Sequence, residues 1–518
     1  MKLKSVDFKR AVPVLILFGF ALFYGFSTRF HPLVTGGYGH DAGIFAYVGM
    51  AMKEGRVLYT EVWENKGPLL YFINLLGISI NYYHGIYLLE LSALFFTLFF
   101  MYKTANLYCN KTIALISAVF ASVPLTVTLE GGNLSEEYAL PFMAWCLYLA
   151  AKFIKQDCNL KKIELFAVGV TIGAVFMLRL NILALQFCLV LAVIICLITR
   201  KEFKKLGTVF TFAILGFLTI LAPFIIYLVK NDALEACINT AYLGTVSSFE
   251  SMSNINRLQN VFSMISDFKS SGSLYLIVLF IITIPFALFK KIKFFENNKR
   301  IYPIIWACYG ALFLNLFANS ISGVRHMHYF ITFIPIILIP AMLVFGSIFK
   351  ILNDYCLEKY RQKKFVSKAI SSGVALLLCI EALNTFTLSL TQNVGDLASR
   401  NIQLMVNYIL ENTDVDDTIQ TIGGQSAVTA YYRTNRLSAS SYSYYANGLF
   451  SEKSKYEFAN TIAEDLYTNK PKLIISDYEP KFQDFQNHIS NSVKWTEMIE
   501  NDYEKIENDF GCIIYKLK

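Results

Sequence analysis

The chain has 518 residues, of which 55% are hydrophobic and only 16% are charged, with a mean hydropathy of +0.46. A soluble domain carries about 25% charged residues, so this composition excludes an ordinary soluble enzyme, a disordered chain and a fibrous protein. The net charge of +8 divides into +14 over residues 1–391 (34 Lys+Arg, 20 Asp+Glu) and −6 over residues 392–518 (12 and 18). The positive charge therefore lies in the predicted membrane region and gives no reason to expect a nucleic-acid partner.

Eleven apolar segments have the length of about 17–25 residues that a helix needs to cross a bilayer. They lie at about 11–28, 84–103, 112–129, 138–155, 162–179, 182–199, 206–229, 273–290, 301–319, 328–349 and 368–391. With the N-terminus inside, the cytoplasmic segments carry 25 Lys+Arg and the outer loops carry nine, as the positive-inside rule favours. We therefore expect a multi-pass protein of the cell membrane, with a cytoplasmic N-terminus and residues 392–518 outside.

The first outer segment, residues 29–83, predicts two short helices that lie on the outer leaflet. The first, about 42–54, is amphipathic. The second begins near Pro68, a residue favoured in the first turn of a helix. The apolar run 67–81 is too short to span with ease, so we expect it at the interface.

Two residues of this segment have the chemistry of a reaction site. His40-Asp41 follows a glycine-rich turn, and a carboxylate there suits a general base, although Asp is also a preferred helix N-cap. Lys66 suits a phosphate held between two helices. It could equally extend to lipid headgroups, or pair with Glu61 or Glu64.

Three further candidates lie in the next two outer loops. Glu136 and Glu137, in LEGGNLSEEYALPF, suit sugar hydroxyls or a metal, but at least one of them is expected to complement the start of the fourth span. Arg179 lies at the junction of two predicted spans, where a charged group is expensive and is by default a functional candidate. The alternative is an arginine that reaches the headgroups.

The sequence VRHMHYF places Arg325, His326, His328 and Tyr329 at the outer end of another span. Arginine is suited to binding phosphate. A divalent metal is conceivable at the histidines, but no ligand spacing requires one. The cytoplasmic loops contain no Walker or Rossmann motif, so we expect no nucleotide cofactor.

The acidic tail predicts a small α/β domain, with a helix at about 397–412 and strands at 418–422, 472–476 and 512–517. Asp414-Val415-Asp416 is similar to the metal-binding motif of nucleotide-sugar transferases, but its position between a helix and a strand favours a turn. The tyrosine-rich stretch 431–445 could contact glycan.

Over residues 1–350 the pattern resembles the GT-C membrane glycosyltransferases. It is most similar to the protein O-mannosyltransferases, the lipid A aminoarabinose transferases and the bacterial dolichyl-phosphate-mannose-protein mannosyltransferase-like branch. The resemblance rests on a first span with its N-terminus inside, a long outer loop that soon presents an acid, and Lys66-Gly67-Pro68 near the end of that loop. It implies a GT-C fold of about eleven transmembrane helices.

Carried over residue by residue, the resemblance implies that Asp41 is the catalytic acid of the first loop, and that Lys66 and Arg325 contact the donor phosphate. Glu136-Glu137 match a second acidic motif of the family. His40, Arg179, His326, His328 and Tyr329 remain candidate donor or acceptor contacts. The chain departs from the family in having His40-Asp41 where an acidic pair is expected, and Gly67 where the first proline is expected.

The resulting interpretation is a hexosyl or pentosyl transferase that acts on the outer face. Its donor would be a polyprenyl-phosphate-linked sugar in the bilayer, and its acceptor a glycan, lipid or protein. The alternatives are a transporter or flippase of lipid-linked glycans, or a glycan polymerase or ligase. A flippase would favour internal repeats with polar sites at mid-membrane, and the sequence shows no repeat.

Overall fold

The computed structural model describes residues 8–33, 41–244, 278–284, 299–320, 326–359, 400–423, 428–444, 452–477, 489–490, 492–506 and 512–518, and the single residues 259, 263 and 266. The helices, in chain order, are α1 Phe8–Gly25, α2 Asp41–Lys53, α3 Pro68–Ile80, α4 Gly85–Asn106, α5 Lys111–Ser122, α6 Leu125–Thr128, α7 Ser135–Lys155, α8 Lys162–Leu178, α9 Ala184–Thr199, α10 Phe203–Lys230, α11 Leu234–Cys237, α12 Tyr302–Ser320, α13 Ile334–Lys359, α14 Arg400–Asn412, α15 Val428–Thr434, α16 Glu452–Asn469 and α17 Val493–Asp502. The strands are β1 Thr418–Ile422, β2 Leu437–Ser438, β3 Leu473–Asp477, β4 Tyr503–Ile506 and β5 Cys512–Leu517.

The chain divides into two compact units, each assembled from separated stretches of sequence. The membrane unit comprises Met1–Thr28, Leu89–Ile226 and Phe249–Leu390. The tail unit comprises Arg29–Leu88, Tyr227–Ser248 and Thr391–Lys518. The first outer segment therefore forms one unit with the acidic tail.

Apolar helices dominate the membrane unit, as the hydropathy predicts. Among the described residues, four segments are long and apolar enough to cross a bilayer, namely Gly85–Asn106, Lys111–Thr128, Phe203–Lys230 and Met327–Lys350. Helices also occupy the predicted spans near 11–28, 138–155, 162–179, 182–199 and 301–319. The predicted span 368–391 and most of 273–290 lie outside the described residues, so the count of eleven stays a prediction.

Small residues let two of these helices approach closely. A Cβ atom on Gly169 of α8 would lie 1.8 Å from the backbone oxygen of Ala213 in α10. A Cβ atom on Gly216 of α10 would lie 2.0 Å from the backbone oxygen of Phe166. Close backbone approach at small residues is a general way to pack helices in a membrane. Side chains larger than glycine would push α8 and α10 apart.

The predicted amphipathic helix exists as α2, but its surroundings differ from the prediction. Every residue from Ala42 to Met52 is buried, so the helix has no exposed polar face. It packs against α3 and α15 of the same unit. A Cβ atom on Gly49 would lie 2.7 Å from the Cβ atom of Asn74 in α3. The prediction of a helix with one face on the leaflet was wrong, because protein covers the helix all round.

The tail contains a five-stranded sheet in the order β2-β1-β3-β5-β4. Strand β1 is parallel to β2 and β3, whereas β5 is antiparallel to β3 and β4. The predicted strands 418–422 and 512–517 match β1 and β5, and 472–476 is displaced from β3 by one residue. Asp414 and Asp417 close a turn through two hydrogen bonds, as the turn interpretation of this segment requires.

Candidate functional site

Eight of the ten predicted site residues belong to the described structure, and they fall in both units. Asp41 is the half-buried first residue of α2, and Lys66 is a half-buried residue just before α3; both belong to the tail unit. The membrane unit contains the other described candidates, namely Glu136, Glu137, Arg179, His326, His328 and Tyr329. His40 and Arg325 lie outside the described residues.

Near Asp41 and Lys66, the buried glutamate Glu64 accepts hydrogen bonds from two tyrosines that are distant from each other in sequence. Glu64 is 1% exposed. Its Oε2 atom accepts a hydrogen bond of 2.5 Å from the Tyr71 hydroxyl, and its Oε1 atom accepts one of 2.5 Å from the Tyr444 hydroxyl. Burying a carboxylate is costly unless donors satisfy it, so these two hydroxyls allow Glu64 to be buried. We call Asp41, Glu64, Lys66, Tyr71 and Tyr444 the Asp41–Lys66 segment.

The charges of this segment keep the Tyr444 hydroxyl protonated. Burial raises the pKa of Tyr444 well above its usual value, and the charges of Glu64 and Asp41 raise it further. Asp41 is therefore within electrostatic range of Tyr444, a residue that follows it by about 400 positions in the chain. A protonated Tyr444 remains a hydrogen-bond donor to Glu64.

The backbone of Lys66 is fixed on both sides. Its carbonyl oxygen accepts a 2.7 Å hydrogen bond from the Tyr59 hydroxyl, and its N–H donates one of 3.0 Å to the Tyr71 hydroxyl. Its ammonium group donates to Asn65 Oδ1 at 2.9 Å. Among the described residues it forms no ion pair, because Glu61 accepts from the Val57 N–H and Glu64 accepts from two tyrosines.

Aromatic contacts join the first outer segment to the tail within this unit. Tyr82 stacks on Tyr432 with ring centroids 4.9 Å apart and an interplanar angle of 9°. Each of the two hydroxyls donates to the backbone oxygen of the other residue. Tyr431 is also fully buried, against Tyr47. The suggestion that this tyrosine-rich stretch contacts glycan was wrong for Tyr431 and Tyr432, because both side chains are in the protein interior.

In the membrane unit, Arg179 and Glu136 form a buried ion pair. The side chain of Glu136 is 2% exposed and that of Arg179 is 15% exposed. Glu136 also accepts a 2.7 Å hydrogen bond from the Ser135 hydroxyl. The Arg179 guanidinium lies over the Tyr329 ring at 5.0 Å from its centroid. Arg179 is therefore neutralised within the protein, and the interpretation that it reaches for headgroups was wrong.

Next to this ion pair lies a carboxylate that the sequence analysis did not single out. Glu130 Oε2 is 2.6 Å from His328 Nδ1 and accepts a 3.2 Å hydrogen bond from the His328 N–H. The rings of His326 and His328 stack at 4.8 Å with an interplanar angle of 15°. Burial raises the pKa of Glu130, but the contacts with His328 and the nearby His326 outweigh burial and leave that pKa below its usual value.

The turn that presents Glu130 has an unusual backbone. Glu130, Gly131, Gly132 and Asn133 all have positive φ, at 46°, 100°, 78° and 54°. A residue other than glycine in this region costs on the order of 1–3 kcal/mol and persists only where the surroundings hold it. A side chain on Gly132 would meet Glu90, because its Cβ atom would lie 2.3 Å from Glu90 Oε1. The glycine pair in LEGGN was the available signal for this turn.

The second glutamate of the predicted acidic motif has different surroundings from the first. Glu137 is fully buried, and neither carboxylate oxygen makes a hydrogen bond to a described residue. Fully buried Glu90 is nearby and accepts a 2.6 Å hydrogen bond from the Asn133 N–H. Both predicted glutamates lie in the first turn of α7 and complement its dipole, although Leu134 is the N-cap residue.

The structure thus brings five predicted residues together in the membrane unit. With Glu130, we call Glu136, Arg179, His326, His328 and Tyr329 the histidine–arginine cluster. Asp41 and Lys66 lie in the tail unit, in a different polar region. The roles of all these residues in binding or catalysis stay predictions.

Comparison with solved structures shows the fold. Crystal structures of ArnT from Cupriavidus metallidurans, in the apo state and bound to undecaprenyl phosphate, are similar with a TM-score of 0.57 and 13% identity over 98% of both chains. The archaeal oligosaccharyltransferase AglB from Archaeoglobus fulgidus, in complex with an inhibitory peptide and a dolichol-phosphate, is similar with a TM-score of 0.50. It is 12% identical over 99% of this chain and 75% of that chain. ArnT and AglB are GT-C proteins, so the predicted GT-C fold is confirmed.

Comparison of sequences gives the family. No curated protein matches the chain. The family described as "Putative competence-induced protein Ccs4 N-terminal domain" matches residues 3–370, which is more than two thirds of the sequence. The chain is a membrane protein with a GT-C fold, and it belongs to the Ccs4 N-terminal domain family.

Proposed function

We propose that the protein is a glycosyltransferase that moves a hexose or pentose from a polyprenyl-phosphate donor to a hydroxyl of a cell-surface glycan, lipid or protein. The observation that carries the proposal is the Asp41–Lys66 segment, which places an acid and a lysine that forms no ion pair with any described residue in one compact unit of a GT-C chain. The similar structures of ArnT with undecaprenyl phosphate and AglB with a dolichol-phosphate support a lipid-phosphate donor.

In the proposed reaction, the Asp41 carboxylate accepts the proton of the acceptor hydroxyl. The acceptor oxygen forms a bond to the anomeric carbon of the sugar while the bond from that carbon to the phosphate oxygen breaks. The polyprenyl phosphate leaves with the electron pair of the broken bond, so the reaction needs no nucleotide. A single displacement inverts the configuration at the anomeric carbon.

Lys66 is the proposed contact of the donor phosphate. A lysine paired with a carboxylate would have to lose that partner before it bound an anion, whereas the partner of the Lys66 ammonium among the described residues is the neutral Asn65 amide. A hydrogen bond from a charged donor to an anion is about twice as strong as one between neutral groups. Arg325, which lies outside the described residues, keeps its proposed role as a second phosphate contact.

The site is proposed to act on the outer face of the membrane. This orientation rests on the 25 to nine distribution of Lys+Arg between the two sides. In a cysteine-free background, Val415→Cys in the exposed tail should be labelled from outside by an impermeant thiol reagent. Lys201→Cys, in the exposed turn before α10, should be labelled only after the membrane is opened. The reverse pattern would contradict the orientation.

Transfer of radiolabelled sugar by the purified protein in detergent tests the reaction itself. The parent should convert a polyprenyl-phosphate sugar into polyprenyl phosphate and a glycosylated acceptor in equal amounts. Asp41→Asn, prepared in parallel, is the matched inactive variant. A parent that moves the intact lipid-linked sugar between the leaflets of vesicles, with no cleavage of the sugar–phosphate bond, would show a flippase and contradict the proposal.

A further inference from the structure

Within the histidine–arginine cluster, three side chains have the arrangement of a metal site. One ligand atom from each of Glu130, His326 and His328 lies within 4.8 Å of the other two. Glu130 and His328 are already in contact through Oε2 and Nδ1, 2.6 Å apart. His326 stacks on His328 and is exposed.

The fold holds the carboxylate of this group in place from two directions. Glu130 adopts a left-handed backbone conformation, with φ at 46°, in a turn of four residues with positive φ. Its side chain is fixed by the ring and the backbone N–H of His328, which is 198 residues away in sequence. Strained backbone that tertiary contacts maintain is concentrated at functional sites. The strain at Glu130 therefore points to a role for its carboxylate beyond local packing.

The charges around the three side chains favour a cation. Glu130 contributes a carboxylate to the group. The nearby guanidinium of Arg179 is neutralised by Glu136, so it does not cancel the charge of Glu130. Glu136 also lies within electrostatic range of His328. With both histidines in the neutral form that binds a metal, two carboxylates and one guanidinium leave the neighbourhood with a net negative charge.

We propose that Glu130, His326 and His328 bind a divalent transition-metal ion of the zinc class, with one coordination position left open. Two imidazoles and one carboxylate are a ligand set found in catalytic zinc sites, which hold the ion by three protein ligands. Magnesium and calcium prefer oxygen ligands throughout, so the two nitrogen donors make them poor fits.

The geometry needs only small side-chain movements to accept such an ion. Zinc–nitrogen and zinc–oxygen bonds are about 2.0–2.2 Å, so ligand atoms around a tetrahedral ion are about 3.3 Å apart. The present separations are all within 4.8 Å, and that between Glu130 Oε2 and His328 Nδ1 is 2.6 Å. On binding, the ion replaces the hydrogen bond between Glu130 and His328, and any proton shared by that pair is released to solvent.

The role of the ion rests on the proposed function. An open position on a zinc-class ion accepts an oxygen atom and stabilises negative charge that develops there. The donor phosphate and the acceptor hydroxyl both offer such an oxygen. The ion would therefore deepen the proposed transferase activity by polarising a substrate oxygen, and the existence of the site can be tested without either substrate.

Titration with zinc alone tests the site. The full chain is purified in detergent, stripped with a chelator, passed through a desalting column and titrated calorimetrically with Zn²⁺. The parent should bind one ion per chain. His326→Ala and Glu130→Gln should each weaken binding by at least about tenfold, since each removes one of three ligands. His326 and Glu130 are both exposed, so these variants are expected to fold.

Two matched variants control for unspecific binding. His84→Ala removes another exposed histidine, and Glu54→Gln removes another exposed carboxylate, and both should bind zinc as the parent does. Absence of stoichiometric binding by the parent would overturn the site. So would a parental affinity in both His326→Ala and Glu130→Gln, or a loss of binding confined to His84→Ala.

The titration and the transfer assay separate the metal site from the proposed function. Stoichiometric binding that the two ligand variants lose, in a protein that transfers no sugar, would leave the metal site standing and contradict the transferase. Sugar transfer by a parent that binds no zinc, at a rate unaffected by chelator, would leave the transferase standing and overturn the metal site.

Discussion

The two polar regions of this protein stabilise their buried charges in opposite ways. The histidine–arginine cluster pairs its carboxylates with side chains of the same cluster, as in Glu136 with Arg179 and Glu130 with His328. The Asp41–Lys66 segment instead surrounds Glu64 with tyrosine hydroxyls and leaves the Lys66 ammonium beside a neutral amide. In the first region the Arg179 cation is paired with a carboxylate of the protein. In the second region the Lys66 ammonium remains available for an anionic ligand.

This difference teaches that an arginine or lysine at a membrane boundary cannot be assigned a ligand from its position alone. From the sequence, Lys66 was a candidate phosphate contact and Arg179 a candidate donor or acceptor contact. In the structure the two residues differ in their partners. Arg179 is paired with buried Glu136, and if Arg179 bound a substrate instead, the Glu136 carboxylate would be left uncompensated. Four substitutions test this difference between the two regions, and they follow in order of decreasing expected effect.

The largest effect is expected at Asp41. Asp41→Asn keeps the size of the side chain and removes its basicity, and a positioned general base contributes typically about 100- to 10,000-fold. We therefore expect turnover to fall at least about 100-fold while the melting temperature stays near that of the parent, since Asn and Asp are comparable near a helix start. Asp416→Asn, in an exposed turn of the tail, should keep parental turnover. A near-parental rate for Asp41→Asn would remove Asp41 from the mechanism.

Arg179→Gln tests whether the membrane-unit pair is structural. Removing one partner of a buried ion pair costs about 3–5 kcal/mol, because the other charge is left uncompensated. The double substitution Arg179→Gln with Glu136→Gln should recover much of this loss in thermal or denaturant unfolding. Arg200→Gln breaks an exposed pair with Asp157, at 3.4 Å, and should cost about 0–1 kcal/mol. Equal effects of Arg179→Gln and Arg200→Gln would mean that the buried pair contributes no special stability.

Lys66→Gln tests the availability of the second cation. Loss of a hydrogen bond to a charged group costs about 1.5–3 kcal/mol, so binding of undecaprenyl phosphate should weaken at least about tenfold. The fold should be unaffected, because the tyrosine hydrogen bonds to residue 66 involve only its backbone. Lys53→Gln, at the exposed end of α2, is the matched control and should bind as the parent does. Parental affinity in Lys66→Gln would place the phosphate elsewhere.

The smallest effect is expected at Tyr444. Tyr444→Phe leaves one oxygen of buried Glu64 without its hydroxyl donor, which costs about 1–3 kcal/mol of the free energy of unfolding. Because Tyr71 still donates to the other oxygen, the segment should remain folded. Tyr467→Phe, on a half-buried tyrosine of α16, should change stability by less. If the two variants unfold alike, the tyrosine hydroxyl does not stabilise Glu64.

Features that depend on local composition could be predicted from the amino-acid sequence alone. Hydropathy located the apolar helices because a bilayer requires about 20 apolar residues in a row. Local turn and helix signals located α2 and α3, and the strands predicted at 418–422 and 512–517 coincide with β1 and β5, each to within a residue or two. The acidic and basic candidates were visible because charged residues are rare and expensive at a membrane boundary.

Which of these residues are in contact depends on the tertiary structure. Glu130 meets His328 across 198 positions, and Glu64 meets Tyr444 across 380 positions. The tertiary structure also buries α2 on all sides and places Tyr431 and Tyr432 in the interior. The physical reason is that hydropathy and secondary-structure propensity indicate only the environment and the local conformation that a residue can adopt. The partner of a buried charge or hydroxyl is set by how distant elements pack, and no local pattern encodes that packing.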